Sequence, residues 1–108
     1  METILHISTP EIFKSAQSSG EYRADSLDSE GFIHCSTAAQ IARSANRFYP
    51  GQRGLILLHI DPDKLRPDLK WEPADNDLFP HIYGPLNLDA VVHVEPFEPG
   101  PDGQWSYP

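Results

Sequence analysis

The chain lacks most of the signatures that mark secretion, membrane insertion or well-known catalytic sites. A single cysteine, Cys35, among 108 residues excludes an internal disulfide and a cysteine-rich zinc module. No basic start followed by an apolar core marks a leader, and no apolar run is long enough to span a bilayer. Gly-rich phosphate loops and a Gly-x-Ser-x-Gly nucleophile elbow are also absent. These absences predict a cytoplasmic protein.

Positive charge is scarce as well. The chain has 8 Lys and Arg residues against 16 Asp and Glu residues, which gives a formal net charge of −8 at pH 7. An acidic surface argues against duplex DNA and against an anionic membrane as the main partner. Arg43 and Arg47, four residues apart, predict either a local basic pocket on a helix face or an ordinary solvated helix surface.

Histidines are present in a repeated pattern. Each of the five is followed by an apolar residue and then a polar one, as in His6-Ile7-Ser8. Side chains alternate faces along a β-strand, so each histidine shares a face with its polar partner. The pattern predicts a sheet with one apolar face and one face of imidazoles and hydroxyls. The polar face either lines a cleft or meets bulk water.

Cap and turn signals place two main helices between the strands. The first helix is predicted after Thr9-Pro10, an N-cap followed by proline at the first helical position. The second is predicted from Thr37, which forms a capping box with Gln40. Strands are predicted over 3–8, 31–35, 54–60, 69–72, 81–86 and 89–97.

The remaining segments complete the domain prediction. Residues 21–30 are expected to form a loop with a short extended piece, and residues 73–80 a second loop. The element order indicates a single α+β domain over 1–97, built as a small twisted, split mixed sheet with two main helices. A Pro-rich, extended tail is expected over 98–108.

Two histidines lie where predicted strands lead into helix starts. His6 and His34 precede backbone N–H groups that favour an anion. Ser8 shares the face of His6, while Ser36 and Thr37 lie at the second helix start and either bind a phosphate or cap the helix. The alternative for both histidines is a water-facing position, or a buried one in which a backbone carbonyl accepts from the ring.

The segment 79–86 is the second candidate region. Two prolines and a glycine restrict its conformation, so His81 and Tyr83 are predicted to be held rigidly, as in a binding site or a tight turn. Glu72 is predicted to act as a general base or to bind a ribose hydroxyl, or else to end a strand in solvent. Cys35 is expected in the core.

His59 and His93 are weaker candidates. His59 borders the most apolar strand, and His93 lies near Glu95, which can be a plain pair on one face. Imidazoles do suit zinc, copper, iron and nickel. No histidine pair has the short helical spacing of common metal signatures, so no metal is expected.

Several blocks together resemble a known bacterial family. The most specific are Gly-Phe-Ile-His-Cys-Ser at 31–36 and Phe-Pro-His-Ile-Tyr-Gly-Pro-Leu at 79–86, supported by Leu-Leu-His-Ile-Asp at 57–61. They resemble the domain of unknown function numbered 952, over nearly the whole chain up to about Val94. The fold of that family is similar to the ADP-ribosyltransferases, including the RNA 2′-phosphotransferases.

The resemblance implies an NAD-binding cleft across a split sheet. His6 resembles the first-strand residue that contacts the adenosine ribose or the nicotinamide side. His34 or Ser36 resembles the second-strand residue beneath the nicotinamide. Glu72 is nearest in order to the catalytic glutamate, although no Glu-x-Glu or Gln-x-Glu motif is present, and His81 with Tyr83 can replace that role. The scarcity of basic residues disfavours RNA 2′-phosphotransfer.

The leading hypothesis is a monomeric protein that uses NAD as a substrate, for ADP-ribosyl transfer or glycosidic cleavage. The predicted catalytic residues are His34, His81 and Glu72. The predicted ligand-binding residues are His6, Ser8, Ser36, Thr37, Tyr83 and Arg43. Three alternatives are a nucleotide-binding module without turnover, a histidine-lined metalloenzyme, and an interaction protein whose polar face is merely hydrated.

Overall fold

A computed structural model describes residues 2–107. The strands are β1 (Ile4–Ser8), β2 (Glu21–Tyr22), β3 (Ile33–His34), β4 (Leu55–Ile60), β5 (Asp68–Ala74), β6 (Asp77–Tyr83), β7 (Leu86–Asn87) and β8 (Val91–Phe97). The helices are α1 (Pro10–Ser19), α2 (Asp25–Glu30) and α3 (Ile41–Phe48), with 3₁₀ turns at Pro62–Lys64 and Leu88–Ala90. The predicted α+β class is confirmed. Within residues 2–107, no helix combines the length and apolar character needed to cross a membrane.

The strands form three antiparallel sheets, ordered β1-β4-β8, β2-β7 and β3-β6-β5. The predicted mixed sheet is wrong, because every strand pairing in the described part of the chain runs antiparallel. One reason is the direct turn between β5 and β6, a connection that only antiparallel neighbours permit. Backbone bonds from Leu5 to Ser36 join the edge of β1 to the segment after β3. Two of the sheets therefore meet at β1.

The middle strand of the central sheet, β4, is largely buried on both faces. It alternates between two cores: Leu58 and Ile60 contribute to one, which lies against α1, while Leu57 contributes to the other, which lies against α3. Each of these three side chains is 0% exposed. A strand covered on both sides has no need of polar alternation, which explains why this stretch is the most apolar in the sequence.

Both predicted loops contain regular structure. The short extended piece expected within 21–30 is present as β2, but the loop predicted for most of the rest of that segment and for 73–80 is wrong. Residues 21–30 form β2 and the helix α2, which ends at Gly31 with φ of 89°. A helix of six polar-rich residues has too little periodicity to be recognised in the sequence. Residues 73–80 form the ends of β5 and β6 around Asp75 and Asn76, whose φ values of 49° and 63° suit a two-residue hairpin turn.

Both predicted helix starts place polar groups near β1 and β3. Thr9 Oγ1 accepts from the Ile12 N–H at 3.2 Å, as expected of an N-cap. The second helix begins at Ile41, later than predicted, because residues 38–40 form a turn rather than helix. One half of the capping box is present, since the Thr37 N–H donates to Gln40 Oε1 at 3.0 Å.

The segment after β8 packs onto the domain instead of extending from it. Trp105 is 3% exposed and its ring lies 4.8 Å from that of Phe97. Its backbone N–H donates to Asn46 Oδ1 at 2.8 Å, and its indole N–H donates to the Tyr49 carbonyl at 3.2 Å. These contacts extend the core that lies against α3 across residue 105. The domain boundary at 97 stays a prediction.

Candidate functional site

A cleft of about 840 Å³ lies beside β1. Small-molecule sites are commonly of this size, with apolar walls and a few polar groups that fix orientation. Five of the nine predicted site residues line it, namely His6, Ser8, His34, Ser36 and His81. Glu72, Thr37, Tyr83 and Arg43 do not line it, so the predicted set divides into a group in the cleft and a group around it.

His6 lies in a buried hydrogen-bonded chain at the cleft. Its Nδ1 donates to the His34 carbonyl at 2.5 Å, and its Nε2 lies 2.9 Å from the Tyr22 hydroxyl. That hydroxyl also lies 2.9 Å from Ser8 Oγ, and Ser8 donates to the Thr9 carbonyl. The single Tyr22 proton therefore lies between two acceptors. His6 combines two of the predicted environments, because the buried imidazole donates to a backbone carbonyl and also lines the cleft.

Burial sets the charge state of this chain. Desolvation lowers the pKa of His6 from 6.5 to about 4, although the His34 carbonyl opposes the change by accepting from the ring. Desolvation also raises the pKa of Tyr22 to about 12. Both groups are therefore uncharged at neutral pH and offer hydrogen bonds without a net charge.

Two histidines on neighbouring strands form what we call the cleft pair, His34 and His81. They are direct cross-strand partners of β3 and β6, with ring centroids 5.3 Å apart at 76°. Phe32 stacks on His81 at 4.2 Å and meets His34 edge-on at 4.7 Å. Phe32 and His34 are two residues apart on an extended segment, so they share a face and the sequence could have indicated this contact.

Glu72 and Tyr83 hold His81 from outside the cleft. The His81 Nδ1–H donates to Glu72 Oε1 at 2.9 Å, and the Tyr83 hydroxyl donates to the same oxygen. The bond from Tyr83, then that from His81, lowers the pKa of Glu72, and the carboxylate in turn raises the pKa of Tyr83. Glu72 is therefore ionised and fixes the ring with Nδ1 protonated. The His81 Nε2 is left as the basic nitrogen.

His34 has a carboxylate partner of its own. Its Nε2 donates to Glu30 Oε2 at 2.8 Å, and both side chains are about half exposed. Glu30 ends α2, the helix that sequence reasoning missed, so this pairing could not be anticipated. His34 thus lies at the open side of the cleft and His81 at its buried side.

The remaining predicted residues stabilise the cleft walls. Ser36 Oγ lies 3.1 Å from Ser44 Oγ, and both line the cleft. Arg43 donates to Asp77 Oδ2 at 3.0 Å beside a separate cavity of about 190 Å³. Arg47 likewise bonds Asp75. Both arginines of α3 therefore connect this helix to the β5–β6 hairpin through hydrogen bonds to aspartates.

Sequence reasoning missed the aromatic and acidic residues of the cleft. They are Tyr22, Phe32, Phe48, Tyr49, Phe79, Asp25, Glu30 and Asp75. Most come from segments predicted to be loops or part of a helix. Only Phe32 lies in a predicted strand, where the alternation of side chains places it on the same face as His34. As predicted, Cys35 is buried, and burial raises the pKa of its thiol well above the ordinary value.

Comparisons with known proteins identify the family. The family model described as "Protein of unknown function (DUF952)" matches residues 7–94. The chain is similar to protein CC0527 from Caulobacter crescentus: the crystal structure gives a TM-score of 0.87 at 29% identity, covering 96% of this chain and 93% of that one. The solution NMR structure of that protein gives 0.82 at 30% identity, covering 96% and 91%. No curated protein matched the chain. The chain therefore belongs to the DUF952 family.

Proposed function

We propose that the cleft binds NAD or a related nucleotide and that His81 serves as a general base in ADP-ribosyl transfer or in glycosidic cleavage. The observation that carries the proposal is the orientation of His81. An ionised carboxylate holds its Nδ1–H at 2.9 Å, which leaves Nε2 to accept a proton at the cleft. The resemblance to ADP-ribosyltransferase-like folds supports the choice of NAD as the substrate.

The lining offers contacts of the kinds that a nucleotide uses. Phe32 already stacks on His81, and a flat base or nicotinamide ring can pack against such aromatic surfaces. Ser8 and Ser36 supply hydroxyls, and His6 supplies an uncharged polar ring. Since no Lys or Arg within residues 2–107 lines the cleft, hydroxyls and imidazoles would carry the contacts to the pyrophosphate. We therefore expect weak binding.

The proposed reaction replaces the nicotinamide on the ribose by water or by an acceptor hydroxyl. The bond between the ribose carbon and the nicotinamide nitrogen breaks, and nicotinamide leaves with the electron pair. The positive charge that develops on the ribose is met by water or by an acceptor hydroxyl, whose proton passes to His81 Nε2. The products are nicotinamide and ADP-ribose, free or attached to the acceptor. Glu72 acts here as a positioning residue, because it contacts His81 rather than lining the cleft.

A second candidate is a binding module without turnover. It is favoured by one specific observation, namely that Glu72, the nearest match to a catalytic glutamate, lies outside the lining and accepts hydrogen bonds from His81 and Tyr83 instead. Prolonged incubation with NAD and assay for free nicotinamide separates the two candidates. Binding without release would select the module.

A chemical-shift titration with NAD tests the shared part of both candidates. We expect the imidazole signals of His6, His34 and His81 to shift while those of His59 and His93 stay in place. His34→Ala should abolish these shifts with the fold intact, and His93→Ala is the matched control at an exposed histidine elsewhere. No shift at millimolar NAD, or normal binding by His34→Ala, would overturn the site.

A further inference from the structure

Two histidines lie outside the cleft lining and form a second cross-strand pair, here called the outer pair. His59 of β4 is opposite His93 of β8, with ring centroids 4.9 Å apart. Glu95 follows two residues after His93, on the same face of β8, and its Oε2 is hydrogen-bonded to His59 Nε2. Two imidazoles and one carboxylate therefore converge at one place on the central sheet.

The geometry of the three ligand atoms suits one small cation. One nitrogen from each ring and one carboxylate oxygen all lie within 4.8 Å of one another. Around a tetrahedral zinc ion, such atoms lie about 3.3 Å apart, given bond lengths of about 2.0–2.2 Å. An ion bound here would require side-chain rotations that shorten the longer of these separations. Within the described residues, no other group of histidine, cysteine and carboxylate side chains meets this spacing.

The backbone at this point is adapted to bring the ligands together. The register between β4 and β8 shifts after His59, so Ile60 faces Val91 and one residue of β8 is left over. A bulge of this kind increases the local twist and re-aims side chains. It allows His93 to face His59 while Val91 packs against the core beyond it.

The position of His59 also requires an explanation. It is the one ionisable side chain of β4, and it is only 12% exposed between the fully buried Leu58 and Ile60. A partly buried His–Glu pair is weak evidence of a stabilising role, because desolvation offsets much of the attraction. A bound cation would give both partners a reason to lie there.

We propose that His59, His93 and Glu95 bind a divalent transition-metal ion, with zinc as the expected occupant. Imidazole nitrogens with a carboxylate oxygen favour zinc over magnesium or calcium. Three protein ligands leave a fourth position for water, as in open zinc sites. The ion would link β4 to the edge strand β8. The expectation of no metal relied on helical spacing, which does not apply to ligands that come from two strands.

Zinc titration of the tag-free chain tests this proposal. We expect one zinc ion per chain by calorimetry and zinc-dependent shifts at the imidazoles of the outer pair. His93→Ala should weaken binding by at least about tenfold, since loss of even a supporting residue costs that much. Glu95→Gln should act in the same direction. Magnesium at the same concentration should not bind.

His34→Ala is the matched control, because it removes an exposed histidine that also bonds a glutamate. It should bind zinc as the wild type does. Three results would overturn the site. They are equal zinc affinity of the wild type and His93→Ala, zinc-dependent shifts that appear at the cleft pair before the outer pair, and no saturable binding below about 1 mM. His93 is exposed, so an unchanged amide spectrum is expected of its variant. The zinc result does not depend on NAD binding, so either proposal can fail alone.

Discussion

The cleft pair and the outer pair start from the same arrangement and differ in their carboxylates. Both are histidines directly opposite each other on antiparallel strands, with ring centroids 5.3 Å apart in the cleft pair and 4.9 Å apart in the outer pair. In the cleft, each ring has a glutamate of its own, Glu30 or Glu72. In the outer pair, Glu95 alone lies with both rings.

This difference separates two kinds of chemistry. A carboxylate bound to one ring nitrogen fixes the tautomer and leaves the other nitrogen for a proton or a substrate. Phe32 also packs against both rings of the cleft pair. A carboxylate shared by two rings brings three lone pairs to one point, which is the requirement of a metal ion. Under the two proposals, similar residue content serves proton transfer in one sheet and cation binding in another.

The largest expected effect tests whether the two regions unfold together. Trp105→Ala removes a buried ring from the core beneath the sheet of the outer pair, and such losses cost about 3–5 kcal/mol of unfolding free energy. Urea denaturation followed by the imidazole signals of both pairs is the measurement. Coincident transitions would show that both pairs lie within a single cooperative unit.

The tail offers a control for that measurement. Tyr107 is 45% exposed, so Tyr107→Ala should change the unfolding free energy by less than about 0.5 kcal/mol. Equal losses from both variants would mean that the segment after β8 does not stabilise the domain through Trp105.

Acid should act on the cleft side through His6. The unfolded ring has a pKa of 6.5 and the folded ring about 4, so the unfolded state binds more protons between these values. The contribution of His6 to the unfolding free energy is therefore fully present above pH 6.5. It is lost as the pH drops towards 4, by about 3 kcal/mol in total. Unfolding free energies from urea titrations at pH 7.5 and 4.5 give the slope.

Two variants isolate this effect from the titration of carboxylates. His6→Gln should flatten the difference between the two pH values, because the amide does not titrate. His93→Gln should leave the wild-type difference in place, since His93 is exposed in the outer pair. An unchanged difference in His6→Gln would contradict the assignment of acid sensitivity to the buried ring.

The carboxylate of the cleft pair gives the next effect. Glu72→Gln keeps the shape of the side chain but removes the charge that holds the His81 Nδ1–H. If the proposed reaction occurs, nicotinamide release should fall by about 100-fold with NAD affinity retained, the usual scale of a general base. Nitrogen-15 spectra should show a mixture of His81 tautomers, a change independent of activity. Glu95→Gln is the control, and a single unchanged tautomer in Glu72→Gln would refute the positioning role.

Much of the fold was predictable where one physical signal dominated. The apolar run of β4, the Thr9-Pro10 cap and the alternation in β1 each identified an element. The face shared by His6 and Ser8 followed from the same alternation, and both residues do line the cleft. These signals are local, and packing only reinforces them.

The rest depended on strand register, which local sequence does not contain. His59 and His93 are far apart in sequence and meet only through the pairing of β4 with β8, so a search for helical spacing could not find them. Glu72 approaches His81 across the β5–β6 hairpin, and the Asp75-Asn76 turn of that hairpin lies within the segment that the sequence predicts to be a loop. Recognition of that dipeptide as a left-handed turn would have brought the two residues together.

The smallest expected effect concerns the exposed end of the cleft pair. Glu30→Gln removes the partner of His34, where both side chains are about half exposed. Exposed pairs of this kind contribute little, so the unfolding free energy should change by less than about 0.5 kcal/mol. NAD-induced shifts at His34 should nevertheless change, because the ring loses its fixed orientation. Thermal unfolding together with the NAD titration separates these outcomes: a large loss of stability would show that Glu30 matters mainly for α2, and the two carboxylates of the cleft pair would then have different roles.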